Sequence, residues 1–314
     1  MYYPYLRGKQ FELLALRDFS EYYRNRNNVF PVIEPVRETF NSMRLAIRKM
    51  QVSHIKFAVI LNPKCGEIEN DNKRILGELE KELSLEGTWM PAFIIDNDKD
   101  CDNIERIIEQ QGYEDVMLIR KKDAYGDDNE FEKLASQTFV SKIIIAPAFK
   151  GTKRRLHKMR KEIIRLDDNF QPLARNSDYI GFPEELFSEE YRYYEDEGFD
   201  GIADYTVLSS VFSEGGRLPY AVAIHMTYEK KSDQIFVRHF VSDTNDDSSN
   251  IQGKFGEAAW KAIRFFEEQK IDNYAIESLK EYYEDGQYPG LGMIKKISIM
   301  NHLELMNEVL ESEE

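Results

Sequence analysis

Positively charged residues recur where short apolar runs of the chain end, and their types suit the binding of an anion. Arginine and lysine side chains that converge on one point can hold a phosphate, a carboxylate or a nucleotide. Lys9 follows Gly8 and precedes a helix whose first amides favour an anion, although Lys9 and Glu12 could equally form a surface ion pair. The residues that we assign to a ligand site are Arg7, Lys9, Asn62, Lys64, Arg120 and Arg175.

Two carboxylates, Glu34 and Asp204, lie at comparable positions and could transfer protons. Glu34 interrupts an apolar run between Ile33 and Pro35, so its side chain would be buried and would need a cationic partner. Each carboxylate could act as a general acid or base, or hold Mg²⁺ or Mn²⁺, although the sequence specifies no cofactor. If the protein is an enzyme, we predict Glu34 and Asp204 as its catalytic residues. The alternative is the ordinary polar rim that any soluble protein carries at its strand ends.

The histidines and cysteines form no motif of known chemistry. No HExxH or clustered Cys/His pattern is present, so we assign no metal ligands. His225 and His239 could still meet across a hairpin. No GxSxG, GxGxxG or phosphate-loop pattern occurs. Cys65 and Cys101 are predicted to be free thiols in a reducing cytoplasm.

Apolar runs alternate with segments of helical periodicity, and successive runs start roughly 25 to 35 residues apart, as in strand–helix units. Eight such units favour a closed (β/α)8 barrel of the TIM type over an open doubly wound sheet, which would normally show a glycine-rich turn. In such a barrel the residues that follow the strands meet over one opening. The predicted strands are 2–6, 30–36, 56–61, 90–95, 116–119, 142–146, 171–174 and 201–204.

The pattern changes after Tyr205. Residues 221–228 and 234–241 alternate between apolar and polar, which predicts an inserted or appended β-hairpin. Helical segments follow the hairpin. We predict a barrel over residues 1–270 that includes the hairpin at 220–241, and a C-terminal helical extension over 271–314 that packs on it.

Residues 150–165 are strongly basic in a protein whose net charge is −15. If this segment is one helix, its side chains at spacings of four, three and four share a face. That face is either a solvated surface or a docking stripe for an acidic partner, whereas nucleic-acid binding is not favoured without interleaved aromatic residues. The residues that we assign to partner binding are Arg154, Lys158, Lys161 and Arg165.

The first forty residues resemble a known family. The opening Tyr-x-Pro-Tyr-Leu-Arg-Gly-Lys-Gln-Phe-Glu, the later Pro-Val-Ile-Glu-Pro-Val and the Gly-Phe-Asp-Gly-Ile-Ala-Asp-Tyr stretch near residue 200 are similar to the phage T4 beta-protein-like family. The resemblance implies a gene of phages or antiviral defence loci, in some cases beside a small nuclease-like neighbour, with no assigned reaction. The matching residues are Arg7, Lys9, Glu12, Glu34 and Asp204.

Composition narrows the class of protein. The negative charge argues against broad nucleic-acid binding, and no apolar run approaches a membrane span or has the layout of a signal peptide. We therefore expect a cytoplasmic, phage- or defence-associated barrel that recognises an anionic ligand or a protein partner. The alternatives are a hydrolase or lyase that acts on a phosphorylated or nucleotide substrate, and a structural subunit whose barrel mouth is plugged by the 220–241 hairpin.

Overall fold

The computed structural model of the chain describes residues 1–25, 28–85, 87–126, 128–214, 220–230 and 233–311. Contacts divide the chain into two compact units. The first unit comprises Met1–Gln10, Ser20–Asp168 and Glu190–Tyr205, and the second comprises Phe11–Phe19, Asn169–Glu189 and Thr206–Glu314.

The strands fall into two sheets. In chain order they are β1 (Tyr2–Leu6), β2 (Val32–Ile33), β3 (Phe57–Ile60), β4 (Trp89–Ile94), β5 (Val116–Arg120), β6 (Val140–Ile145), β7 (Glu162–Leu166), β8 (Glu184–Ser188), β9 (Gly201–Asp204), β10 (Ala223–Lys230) and β11 (Gln234–Val241). Strands β1 to β7 and β9 form a closed parallel barrel in which β9 pairs with both β7 and β1. The predicted (β/α)8 fold is confirmed.

Helices lie between the strands and after the last of them. They are α1 (Gln10–Tyr22), α2 (Asn41–Val52), α3 (Asn72–Glu78), α4 (Glu80–Leu83), α5 (Asp98–Gln111), α6 (Asp128–Ala135), α7 (Lys150–Lys158), α8 (Glu190–Tyr193), α9 (Ile251–Gln269), α10 (Tyr274–Glu284) and α11 (Leu291–Glu311), with a 3-10 helix at Asn176–Gly181. The side chains and backbone at the two ends of α5 show why this helix begins and ends where it does. Asn97 and Asp100 form a capping box at the start of α5, and Gly112 ends that helix in the left-handed conformation.

Side chains of alternate residues fill the barrel interior. Tyr3 and Tyr5 of β1 face inward, and alanines such as Ala58 and Ala92 on other strands leave room for these large rings. The intervening residues of each strand face outward. This alternation decides which of the strand-end residues can reach the barrel mouth, by which we mean the end of the barrel where the strands finish.

The seventh barrel strand lies earlier in the chain than we predicted. The prediction of a strand at 171–174 was wrong, because β7 spans Glu162–Leu166. Helix α7 ends at Lys158, and Arg160 adopts the left-handed conformation with φ of 57°. The predicted basic helix over 150–165 is therefore two elements, a helix and a strand. Ile163 falls at helical spacing from Leu156, and this coincidence concealed the break.

The second unit contains a three-stranded antiparallel sheet in the order β10-β11-β8. The predicted hairpin is confirmed in β10 and β11, although residues 231 and 232 of its turn lie outside the described residues. Helices α9, α10 and α11 belong to the same unit. Our division of the chain between residues 270 and 271 stays a prediction, and residues 312–314 of that extension are not described. In the described ranges, we find no helix of the length and apolarity that crossing a lipid bilayer requires.

Candidate functional site

Glu34 lies at the mouth of the barrel and is almost fully buried, with 1% of its surface exposed. Its Oε2 accepts a hydrogen bond of 2.7 Å from the Tyr5 hydroxyl, and its Oε1 accepts one of 2.8 Å from the Lys64 backbone amide. Gly8 has φ of 57°, and a Cβ on it would come within 3.2 Å of the Glu34 carbonyl oxygen. The close turn after β1 thus packs directly against the backbone of Glu34.

Arg7 lies in the same part of the mouth. Its guanidinium carbon is 5.4 Å from the centre of the Tyr205 ring, and its side chain donates a hydrogen bond to Cys65. Burial makes the largest contribution to the pKa of the Cys65 thiol, and the Glu34 carboxylate raises it further. The pKa is about 11, although the Arg7 guanidinium lowers it. The thiol is therefore protonated at neutral pH and is not an activated nucleophile.

A second group of charges surrounds Asp96, which follows β4. Burial raises the pKa of the Asp96 carboxyl, while the nearby ammonium groups of Lys121 and Lys64 act in the opposite direction. Its Oδ1 is buried and makes no hydrogen bond. Lys64 donates a hydrogen bond of 2.8 Å to Asp100, which anchors that cation beside Asp96. The mouth therefore combines cations with a carboxyl group that takes up a proton more readily than usual.

Asp204 does not share the mouth with Glu34, so the expectation that both carboxylates lie over one opening was wrong. Ala203 and Tyr205 face the barrel interior, and Asp204 between them faces outward. There Asp204 accepts a hydrogen bond of 2.6 Å from the hydroxyl of Tyr2, another outward residue. The period of two along a strand explains the error, because being last in a strand does not determine the face.

Two predicted ligand-binding residues instead support the barrel. Asn62 both donates to and accepts from the backbone of Ile94, at 2.8 Å in each case, which extends the pairing of β3 with β4. Arg120 faces outward, lies 3.0 Å from Asp128 and packs between the rings of Phe131 and Phe149. Arg120 is directed away from the mouth, so its assignment was wrong, whereas Asn62 has the inward phase of Ala58 and Ile60 and its ligand role stays a prediction.

Arg175 was assigned to the ligand site because it follows the strand predicted at 171–174, which is not a strand. It lies in the second unit immediately before the 3-10 helix, with an exposed side chain. The residues that follow the true β7 are Asp167 and Asp168, and burial raises the pKa of the Asp167 carboxyl. Lys9 lies between β1 and α1 and is half-buried, and its role in binding stays a prediction.

The four basic residues predicted to share one helical face do not share it. Arg154 and Lys158 lie on α7. Lys161 follows that helix, and its ammonium group donates hydrogen bonds to the carbonyl oxygens of Gln137 and Val140. Arg165 lies on β7 and pairs with carboxylates, those of Asp167, Glu190 and Glu197. The prediction of one shared face was wrong because the segment is a helix followed by a strand, whereas partner binding stays a prediction.

The mouth includes residues that the sequence analysis did not assign a role. For all of them except Cys65, the signal that could have identified them is the inward phase of their strand. They are Tyr5, Cys65, Asp96, Lys121, Asp168 and Tyr205.

No metal centre is evident in the part of the chain that the structure describes, since no three or more His, Cys, Asp or Glu residues are placed to hold an ion. Binding of Mg²⁺ or Mn²⁺ stays a prediction. His225 and His239 do meet across the hairpin, with their Nδ1 atoms 2.7 Å apart. They form a hydrogen-bonded pair in the second unit.

No family model matches the sequence, and no curated protein matches it. Among solved structures, the chain is similar to a mutant of the O-GlcNAc hydrolase of Thermobaculum terrenum. The two chains are 13% identical, and the match covers 65% of this chain and 54% of the other with a TM-score of 0.38. The chain thus matches about half the length of that structure. We draw nothing about activity from a likeness of this size.

Proposed function

We propose that the barrel mouth binds a small anion that also carries hydroxyl groups, such as a phosphorylated sugar. Arg7 and Lys121 would hold the anionic group, and the carboxylates of Glu34 and Asp96 would accept hydrogen bonds from the hydroxyls. The observation that carries this proposal is the placement of Arg7 against both Tyr205 and Cys65, beside the buried Glu34. A guanidinium positioned in this way can bind a phosphate through two parallel hydrogen bonds.

The charges of the mouth favour a ligand with both kinds of group over a simple anion. Burial raises the pKa of the Tyr205 hydroxyl. The nearby Arg7 guanidinium lowers this pKa, and the carboxylates of Asp168, Glu34 and Asp123 raise it further, so both kinds of charge lie near this ring. Inorganic phosphate would offer these carboxylates only the hydroxyl groups on its own phosphorus, at the place where its negative charge lies. A sugar phosphate offers hydroxyl donors to the carboxylates and its phosphate to the cations.

Isothermal titration calorimetry with ribose 5-phosphate tests this proposal. We expect saturable binding that Arg7→Gln weakens at least about tenfold, because a charge-assisted hydrogen-bond pair is lost. Arg154→Gln on α7 removes an exposed cation outside the mouth and should leave the affinity unchanged. Equal affinity of the native protein and the Arg7→Gln variant would contradict the proposal.

A second candidate function is a hydrolase or lyase that acts on a phosphorylated or nucleotide substrate. It is favoured by Asp96, whose pKa is raised by burial and whose Oδ1 makes no hydrogen bond. A carboxyl group that keeps its proton to higher pH than usual can act as a general acid. Here Asp96 replaces the Asp204 of our original assignment, and Glu34, which accepts from the Lys64 amide, would remain as the base.

The Asp96→Asn variant tests this second function. On any phosphorylated sugar or nucleotide that the native protein cleaves, we expect kcat to fall at least about a hundredfold. The affinity for ribose 5-phosphate should change little, because the amide keeps the size of the carboxyl group. Native activity should decline as the pH rises through the raised pKa of Asp96. Unchanged kcat in the variant would exclude Asp96 as the acid.

The association with phages or defence loci, the cytoplasmic location and a protein partner, such as a nuclease-like neighbour, are further parts of the proposal. They are supported by the resemblance of the first forty residues. The exposed Arg154 and Lys158 of α7 are the basic residues that remain for docking an acidic partner surface. A structural subunit plugged by the hairpin stays an alternative hypothesis.

A further inference from the structure

The second unit contains a cleft of about 380 Å³ between β11, helix α9 and the 3-10 helix. This volume is in the range of pockets that enclose small molecules. Cationic and aromatic side chains from these elements line it together. These side chains include Tyr179, Arg238, His239, Trp260, Lys261 and Arg264.

Three cations line this cleft together with two carboxylates, Asp243 and Glu268, which hold Lys261 and Arg264 in place. Arg264 donates through Nε to Glu268 at 2.9 Å, which orients the guanidinium and leaves its two terminal nitrogens for a ligand. Lys261 is held by two hydrogen bonds of 2.7 Å to the Val241 carbonyl oxygen and to Asp243. Cations that are held in this way lose little side-chain entropy when an anion binds.

An aromatic surface lies beside these cations. Trp260 is 46% exposed, although it is a large apolar side chain. The Arg264 guanidinium carbon is 5.4 Å from the centre of the Trp260 ring. A flat ring stacked on Trp260 would therefore place a phosphate attached to it near Arg264 and Lys261. Stacking of a nucleobase on an exposed aromatic residue is sequence-tolerant and favourable.

The Nε2 atom of His239 makes no hydrogen bond. Nδ1 of the same ring pairs with Nδ1 of His225, but Nε2 is buried and makes no hydrogen bond, even though Glu185 lies 3.4 Å away. A buried polar atom without a partner is unfavourable, and a ligand donor or acceptor would relieve the cost. His239 lines the cleft, but its Nε2 is buried beside Glu185, so a ligand in the cleft would reach this atom only after the surrounding side chains shift.

We propose that the cleft formed by Tyr179, His239, Trp260, Lys261 and Arg264 binds a mononucleotide. The base stacks on Trp260, and the phosphate contacts Arg264 and Lys261. This site is separate from the barrel mouth, since every residue that forms it belongs to the second unit. The limited volume favours a single nucleotide over a strand of nucleic acid.

Isothermal titration calorimetry with AMP tests this site in the full-length protein. We expect saturable binding, with ribose 5-phosphate and adenosine each at least about tenfold weaker at the cleft because one half of the recognition is missing. Arg264→Gln and Trp260→Leu should each raise the Kd for AMP at least about tenfold. Lys270→Gln, which removes an exposed cation at the end of the same helix, should leave it unchanged.

The variants also separate this site from the barrel mouth. Arg7→Gln should weaken ribose 5-phosphate at the mouth and leave AMP binding at the cleft intact. AMP binding that is lost in Arg7→Gln and retained in Arg264→Gln would overturn the proposal, and so would the absence of saturable AMP binding. Circular dichroism of each variant would verify that a lost affinity does not reflect unfolding.

Discussion

Replacing Glu34 with alanine is expected to lower the free energy of unfolding by about 4 kcal/mol. The Tyr5 hydroxyl and the Lys64 amide both donate to this carboxylate, and both would lose their acceptor in a buried place. Each unsatisfied donor costs about 1–3 kcal/mol. Arg7 lies near this carboxylate, because Glu34 and Arg7 both affect the pKa of the Tyr5 hydroxyl. In the variant Arg7 would therefore lose a neighbouring negative charge.

Urea denaturation followed by circular dichroism measures this effect. Glu34→Gln keeps the size of the side chain and one strong acceptor, so it should cost about half as much as alanine. Glu69→Ala removes an exposed carboxylate near the same end of the barrel and should change the stability by less than about 0.5 kcal/mol. A loss below about 1 kcal/mol for Glu34→Ala would show that Glu34 does not organise the mouth.

Stability is expected to fall as the pH drops from about 6.5 toward 4, because His225 and His239 resist protonation in the folded state. Burial lowers the pKa of His225 to about 3, with a further contribution from His239, and burial lowers the pKa of His239 to about 4. The unfolded chain binds these protons near the ordinary pKa of about 6.5. Between these values the unfolded state holds more protons, so acidification favours unfolding by up to about 1.4 kcal/mol per pH unit for each histidine.

Denaturation at a series of pH values checks this dependence. Carboxyl groups with raised pKa, such as those of Asp96 and Glu185, contribute with the opposite sign, so the comparison with a variant is decisive. In the double variant with His225→Gln and His239→Gln the loss between pH 6.5 and 4 should largely disappear. His54→Gln removes an exposed histidine and should leave the native slope unchanged. Equal slopes in the native protein and the double variant would refute this account.

The sequence was sufficient to predict the barrel. Runs of β-branched and aromatic residues recur at a nearly constant interval, and the predicted strands at 2–6 and 201–204 match β1 and β9. Glu34 could be located for a similar reason, since a charge inside an apolar run must find partners when the run is buried. The alternation at 221–228 and 234–241 likewise predicted the hairpin, because strand periodicity is a local property.

The misplaced seventh strand shows where local pattern was insufficient. Ile163 fits the spacing of the preceding helix, and only the pairing of β7 with β6 and β9 makes this segment a strand. Tertiary context overrides local preference in such a short segment. The assignment of Arg175 to the mouth failed with that strand.

The sequence by itself determined the repeat of strands and helices and the burial of Glu34, because both depend on residue type and spacing along the chain. Only the tertiary structure decided that Asp204 faces outward to Tyr2, and that Arg7 packs against Tyr205 and Cys65 beside Glu34. It also brought Trp260 and His239 to one cleft. The physical reason is that the closure of the barrel and the packing of a helix on a sheet set which distant side chains meet, and no local period encodes that.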